Sequence, residues 1–385
     1  FTNFNNSGIA WLYDLTNDKR IVVTTVAGNH RVLIPNSGTN KQCYIFSPNA
    51  ITSVTNLKEC GTGGFFTDYT AGTQQSEFII FAPREFDFEA QAYASYRTLS
   101  GLSSTVFTME DVYDQFAYGV KKHPLSIRNL CGELFSKWSE PPSFMLLLGK
   151  SVKAKLHRKD PGAYAMTKVP SFGNPASDIL FTAGFNNTVL EPAIATGRIS
   201  ATTGEEVTWY LDKLTEYESN DPQPWMKNIL HFAGGGNKKE SDRFTSYLNT
   251  YESILEDTSF GGTTYTFKKS TTDPIQTSLS DSITILINEG CSFMTFFGHA
   301  STTGGFDQNI DDPSTYENKG KYPLLVGNSC FTGDIHTDSK LSTSETFVLI
   351  KDKGVIGFLA SVDLGFESVL HQYSTELFRN IGQLN

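Results

Sequence analysis

Short apolar runs separated by turn-forming residues fill the first 75 positions. Runs at 9–15, 20–26, 30–34 and 42–46 alternate or cluster apolar side chains, and Pro35-Asn36-Ser37-Gly38 separates two of them. This pattern carries no helical period and predicts a small β-rich domain over residues 1–76. The glycine-rich stretch 61–72 reads as a linker.

From Glu77 the period changes. Residues 78–82, 105–109 and 144–148 read as buried strands, and 88–99 is compatible with a helix. Ile127, Leu130, Cys131, Leu134, Phe135 and Trp138 recur at three- and four-residue steps behind Pro124, which predicts a second helix. Val207, Tyr210, Leu211, Leu214 and Tyr217 mark a third, opened by a Thr202-x-x-Glu205 capping box. The alternation then restarts. Strands are expected at 229–233, 264–268, 293–297, 324–327 and 355–360. Helices are expected over 240–255, through Leu279, Ile283, Leu286 and Ile287 up to Gly290, and around 347–350. Strands alternating with helices imply an α/β fold of two tandem units, 77–217 and 218–385, with largely parallel sheets covered on both faces. Ser143-Phe144-Met145, followed after three residues by Gly149-Lys150, is echoed by Ser292-Phe293-Met294 and Gly298-His299. The echo reads as a weak internal duplication, or as two ordinary buried strands that end in glycine.

Composition narrows the function. With 39% hydrophobic and 19% charged residues, the 385-residue chain can bury a core. Its 31 basic and 41 acidic residues give a net charge of −10, and no dense Lys/Arg run appears, which argues against nucleic acid as a partner. No apolar stretch reaches the roughly 18–20 residues of a membrane span. The chain opens Phe1-Thr2-Asn3 without Met or a signal-like segment and reads as part of something longer. Five cysteines, an odd number without Cys-x-x-Cys, indicate neither a disulfide framework nor a zinc ribbon and leave at least one thiol free. Abundant Asn, Thr, Ser and Phe suggest an exported bacterial protein.

Chemistry concentrates at two strand ends. Residues 293–298 end in His299, within Phe-Phe-Gly-His-Ala-Ser, and residues 324–329 end in Cys330, within Gly-Asn-Ser-Cys-Phe-Thr-Gly-Asp. Functional groups of open α/β sheets collect at the carboxyl edge. A His and a Cys on neighbouring tips would share one substrate, with the imidazole taking the thiol proton and later protonating the leaving amine. Asp334 and His336 flank the Cys turn and are candidates for shaping a pocket. Asp307, Asp311 and Asp312 leave room for a structural Ca²⁺, although a solvated acidic loop explains them as well. Ala233-Gly234-Gly235-Gly236 lacks the Lys-Ser/Thr of a phosphate loop, so nucleotide binding is not expected.

These motifs resemble the gingipain family of cysteine peptidases, on a caspase-like fold, over residues 77–385. Phe297-Gly298-His299-Ala300-Ser301 is similar to the family's Gly-His-Gly-Ser element, and Cys330-Phe331-Thr332-Gly333-Asp334 to its Cys-x-x-Gly-Asp. Gly197-Arg198-Ile199 and the stretch 354–361 are also similar to family strands. Trp11-Leu12-Tyr13-Asp14-Leu15-Thr16-Asn17 resembles an element of the PorU-like, sortase-type branch of the type IX secretion system of Bacteroidetes. The resemblance implies Cys330 as nucleophile, His299 as general base and acid, and the Ala300 and Cys330 amides as oxyanion hole. It implies a substrate pocket around Gly298, Ser329, Gly333, Asp334 and Ser361, with no cofactor required. The family's acidic third residue is expected ahead of Gly197-Arg198-Ile199, where Ala193 stands; Asp178 is the first substitute and Glu191 the second. The expected function is a cysteine peptidase or transpeptidase acting on exported proteins at the cell surface or outer membrane, with secretion components as partners. The alternatives are a secreted gingipain-like endopeptidase and a catalytically weak or inactive surface component that binds cargo tails.

Overall fold

The computed structural model describes residues 4, 8–35, 38–57, 59–61, 63–257, 259–269, 280–301, 305–308, 310, 312–339 and 341–383. The chain divides into two compact units, Phe1–Glu59 and Cys60–Asn385.

The first unit is an antiparallel sheet of β1 (Ala10–Asp14), β2 (Lys19–Val26), β3 (Asn29–Arg31) and β4 (Cys43–Phe46), in the order β3-β2-β1-β4. Its core is small, with Ala10, Leu12 and Val23 buried. Asp14 closes the first turn by accepting from the amides of Thr16 at 3.0 Å and Asn17 at 3.2 Å. The Asp-Leu-Thr-Asn string is therefore turn chemistry at this position.

The second unit opens earlier than the expected boundary at 76. Tyr69, in the presumed linker, is 6% exposed, packs on Phe107, and accepts from the indole of Trp138 through its carbonyl at 3.2 Å. Burial of that ring ties the stretch to the α/β core. Four parallel strands follow: β5 (Phe78–Ala82), β6 (Ser104–Thr108), β7 (Phe144–Leu148) and β8 (Ala195–Ile199), in the order β6-β5-β7-β8. Helices α1 (Asp87–Leu99), α2 (Met109–Phe116), α3 (Leu125–Lys137), the short α4 (Ala154–His157) and α5 (Pro161–Met166), and α6 (Gly204–Glu218) connect and cover them. Ile79, Phe81, Met145 and Leu147 face a core with α2 and α3, while Ile80, Leu146, Leu148 and Ile199 face one with α1 and α6. The two inner strands, β5 and β7, are buried on both faces, which is why they read as continuous apolar runs.

The second sheet holds β9 (Asn228–Ala233), β10 (Thr263–Lys268), β11 (Phe293–Phe297), β14 (Leu324–Asn328) and β15 (Gly357–Ala360), in the order β10-β9-β11-β14-β15. A hairpin of β12 (Ala300–Ser301) and β13 (Gly305–Phe306) follows β11. Helices α7 (Lys238–Leu255), α8 (Ser280–Glu289), α9 (Thr343–Leu349) and α10 (Glu367–Gly382) complete the half. Leu230, Phe232, Met294, Phe296 and Leu325 form one core with α8 and α9. Ile229, Ala233, Phe297 and Val326 form the other with α7 and α10. Both sheets are parallel, as the alternation predicts, and the first unit supplies the antiparallel β region.

Two local expectations shift. The capping box sits one residue later: Thr203 Oγ1 accepts from the Glu206 amide at 3.3 Å, and Glu206 Oε2 accepts from the Thr203 amide at 3.3 Å. The 16-residue α10 was not expected, because its buried face carries Ser374 and Thr375 among the apolar positions.

Candidate active site

Phe297 and Asn328 are register partners on the neighbouring parallel strands β11 and β14, and the Gly298 amide donates to the Asn328 carbonyl at 3.2 Å. His299 and Cys330 each stand two residues beyond that rung. The register of the sheet therefore brings His299 and Cys330 to one edge, each just past the end of one of two adjacent parallel strands.

Past His299 the chain turns back. The Asp307 amide donates to the His299 carbonyl at 2.9 Å, and Ala300 faces Phe306 across the hairpin. In this pattern Ala300 and Phe306 form a non-hydrogen-bonded pair, so the Ala300 N–H points away from the ladder.

The Cys330 turn is held from several sides. Ser329 Oγ and Thr332 Oγ1 are 3.0 Å apart, and Phe331 takes a left-handed φ of 59°. The Phe331 amide donates to the Asp363 carbonyl at 3.0 Å, and the Gly333 amide to the Ser361 carbonyl at 2.9 Å. These bonds dock the turn on the loop after β15. In that loop the Gly365 amide donates to Cys330 Sγ at 3.4 Å. A Cβ on Gly365 would lie 2.8 Å from the Ser329 carbonyl oxygen, so this approach requires glycine.

The carboxylate beside the His299 ring is neither Asp178 nor Glu191. His299 Nε2 lies 3.1 Å from Glu240 Oε2, while Nδ1 has no partner among the described residues. Glu240 is the third residue of α7, behind the cap Asn237, whose side chain accepts from the Glu240 amide at 3.1 Å. Its Oε2 also accepts from the Gly236 amide at 2.7 Å. Burial pushes the Glu240 pKa up, but the Gly236 amide and the His299 ring outweigh it and hold the carboxyl below its ordinary value. The position at a helix N-terminus favours the same anion.

Asp178 is committed elsewhere. Its two oxygens take Arg198 Nε at 2.7 Å and Nη2 at 2.8 Å. Arg198 also donates to the carbonyls of Gly149, Val169 and Pro170. Glu191 accepts from its own loop, at the amides of Leu190 and Val189. Neither carboxylate contacts His299. The sequence signal for Glu240 was its place three residues after an Asn cap, which also describes an ordinary helix start.

The glycine run serves carboxylates. The Gly235 amide donates to Asp307 Oδ2 at 2.8 Å, beside the Gly236 bond to Glu240. Cβ atoms on Gly234 and Gly298 would fall 2.0 Å and 2.6 Å from Asp307 Oδ1. Asp307 also pairs with Lys269 at 3.5 Å. Asp312 caps its own turn through the Ser314 amide, and Asp311 lies outside the described residues. Among the described residues no three His, Cys, Asp or Glu side chains converge as a metal site.

Several expected pocket residues face inward. Ser329 is 2% exposed, and Asp334, 3% exposed, pairs with Lys153 at 2.7 Å. His336 is buried with its Nδ1 against Ser151 Oγ, and burial, opposed by the charges of Asp178 and Asp334, brings its pKa down to about 4. These contacts brace the segment behind Cys330 on the loop after β7. Gly298 packs over Asp307. Gly333 and Ser361 line a cavity of about 590 Å³, together with Arg198 and Glu345. All five cysteines are free, and burial raises the thiols of Cys131, to about 12, and Cys291.

A family model described as Peptidase family C25 matches residues 72–385. No curated protein sequence matches the chain. Among solved structures, one titled "Structure of Protease" superposes with a TM-score of 0.59 at 19% identity, over 77% of this chain and 62% of that one. The complex of Porphyromonas gingivalis RgpB pro- and mature domains gives 0.63 at 16% identity, over 80% and 69%. The Arg-specific cysteine proteinase gingipain R gives 0.62 at 17% identity, over 80% and 67%. At these identities the likeness establishes the shared fold, and the chain spans about three-fifths of the first structure's length.

Proposed function

We propose, from the premise that this chain belongs to peptidase family C25, that it is a cysteine peptidase acting on peptide bonds of exported proteins. Cys330 is the nucleophile, His299 the general base and acid, and Glu240 the carboxylate that orients the ring. With Nε2 held by Glu240, Nδ1 is the nitrogen that takes the thiol proton. The thiolate then attacks the substrate carbonyl carbon, and the amides of Ala300 and Cys330 receive the developing oxyanion. His299 returns its proton to the leaving amine as the C–N bond breaks, which leaves a thioester on Cys330.

Water or a second amine resolves the thioester. Resolution by an amine makes the protein a sortase-type transpeptidase, working at the outer membrane with secretion components. The Trp11–Asn17 likeness favours this outcome over a secreted endopeptidase. Among the described residues no helix is long and apolar enough to cross a membrane.

The observation that carries the reading is the shared rung, with His299 and Cys330 each two residues past Phe297 and Asn328 and Glu240 behind the ring. The test is labelling of the full chain with a peptide acyloxymethyl ketone, with the adduct located by mass spectrometry. Modification at Cys330, well ahead of Cys43 and Cys60, is expected; equal labelling of all accessible thiols leaves the protein a non-catalytic member that binds cargo. Adding an amine nucleophile to a cleaved substrate then separates transfer from hydrolysis by the mass of the product.

A further inference from the structure

Four large apolar side chains stand in solvent along the segment that starts beside Cys330. Leu364 is 61% exposed, Phe366 72%, Val369 61% and Tyr373 58%. Leu364 and Phe366 flank Gly365, the residue whose amide reaches Cys330 Sγ at 3.4 Å. Phe366 is extended, with φ −84° and ψ 119°, and opens α10. Phe366, Val369 and Tyr373 then follow at i, i+3 and i+7 and share one helix face. The stripe runs roughly 10 Å along the helix, the length of about three residues of extended peptide. Val369 and Tyr373, with Leu377, line a shallow depression of about 480 Å³.

The acidic groups around the stripe are engaged. Asp363 Oδ1 accepts from the Leu364 amide at 2.7 Å, Glu367 pairs with Arg243 at 2.8 Å, and Glu376 pairs with Arg379. The charges of Glu367 and Glu376 are thereby paired within the chain. An exposed apolar stripe that begins at a reactive thiol is continuous with the site where a peptide must lie, and that continuity identifies its occupant.

We propose that this stripe is the recognition surface of the Cys330 site. It selects peptides with large apolar side chains within two or three residues of the scissile bond over peptides with Arg or Lys there. The inference rests on Cys330 being the nucleophile.

The test compares two acyloxymethyl ketones on the full chain, one on a Leu-Phe peptide and one on a Leu-Arg peptide. In each, the thiolate forms a C–S bond to the methylene carbon, the carboxylate leaves, and the thiol proton stays on His299. The apolar reagent is expected to modify Cys330 about tenfold faster or more. Leu364→Ser and Phe366→Ser are expected to bring the ratio of the two rates towards one; because the ratio is read, a general change in thiol reactivity cancels. Thermal unfolding checks that both variants fold. Equal rates, faster reaction of the Arg reagent, or a ratio unmoved by both substitutions overturns the inference and leaves the nucleophile assignment standing. An apolar rate that falls with rising protein concentration, in step with dimer formation, gives the stripe to a second copy and also overturns it. Labelling of Cys330 no faster than Cys43 by either reagent removes the nucleophile reading and the inference with it.

Discussion

Lys150 occupies in the first sheet the place that His299 occupies in the second. Each follows the glycine that ends the third strand of its half, in the matching orders β6-β5-β7-β8 and β10-β9-β11-β14. The His299 side chain is 58% exposed and its ring meets Glu240. Lys150 is fully buried, with Nζ 2.6 Å from Glu345 of α9 and 3.3 Å from the Ile335 carbonyl. Ser200 Oγ joins the same Glu345 oxygen. The position proposed for the general base in one half is a strut between halves in the other.

That strut sets a stability prediction. Removing one partner of a buried pair leaves an uncompensated charge, so Lys150→Met and Glu345→Gln should each cost about 3–5 kcal/mol. The double variant Lys150→Met/Glu345→Gln should cost clearly less than their sum. Urea unfolding of the three variants measures the coupling; strict additivity would show that the pair does not act as a unit.

Cys330→Ala should abolish labelling and any peptide cleavage while leaving the unfolding midpoint close to that of the parent. The thiol sits half-buried on a turn held by backbone bonds to Asp363 and Ser361, not in a packed core. Turnover of a cleavable peptide at the parent rate by Cys330→Ala would end the nucleophile assignment.

Glu240→Gln keeps a polar contact with the His299 ring but offers an amide in place of the carboxylate that orients it. The rate of Cys330 labelling should fall steeply, by about 10²–10⁴-fold, at little cost in stability. Asp178→Asn should behave in the opposite way. It breaks the fork to Arg198, so the unfolding midpoint drops while the labelling rate of the folded fraction stays near that of the parent. If Asp178→Asn slows labelling and Glu240→Gln does not, the roles assigned to the two carboxylates are reversed.

Those two carboxylates also show what the sequence can and cannot reveal. The placing of His299 and Cys330 on adjacent strand ends was legible because each directly follows a recognisable apolar run, and neighbouring parallel strands end at one edge. The inner strands β5, β7, β9, β11 and β14 were legible because they are buried along nearly their whole length. Glu240 was hidden because it lies 59 residues before His299, and only folding of β9 and α7 beside β11 brings it to the ring. Asp178 looked available because its partner Arg198, 20 residues away, belonged to a strand motif rather than to any charge pattern. The helix α10 was obscured by polar residues on its inner side that have specific tasks: Ser374 Oγ donates to Asn328 Oδ1 at 2.7 Å, and His371 Nδ1 meets the Tyr251 hydroxyl at 3.0 Å.

Acid should destabilise the protein through two buried histidines. His231, on the interior strand β9, is fully buried, and both ring nitrogens lack partners among the described residues. Burial brings its pKa down to about 3 and that of His336 to about 4. An unfolded histidine titrates near 6.5. As pH falls below that value the unfolded chain takes up protons that the folded protein refuses, so the stability present above pH 6.5 is progressively lost. The loss from His336 ends near pH 4 and amounts to about 3 kcal/mol; that from His231 continues towards pH 3 and is of order 5 kcal/mol. Urea unfolding at pH 7, 5 and 4 measures the slope. His231→Leu should flatten it and, because the ring satisfies no hydrogen bond, should leave stability at pH 7 unchanged or raised. A variant that loses as much stability between pH 6.5 and 4 as the parent would remove His231 as a source of the acid sensitivity.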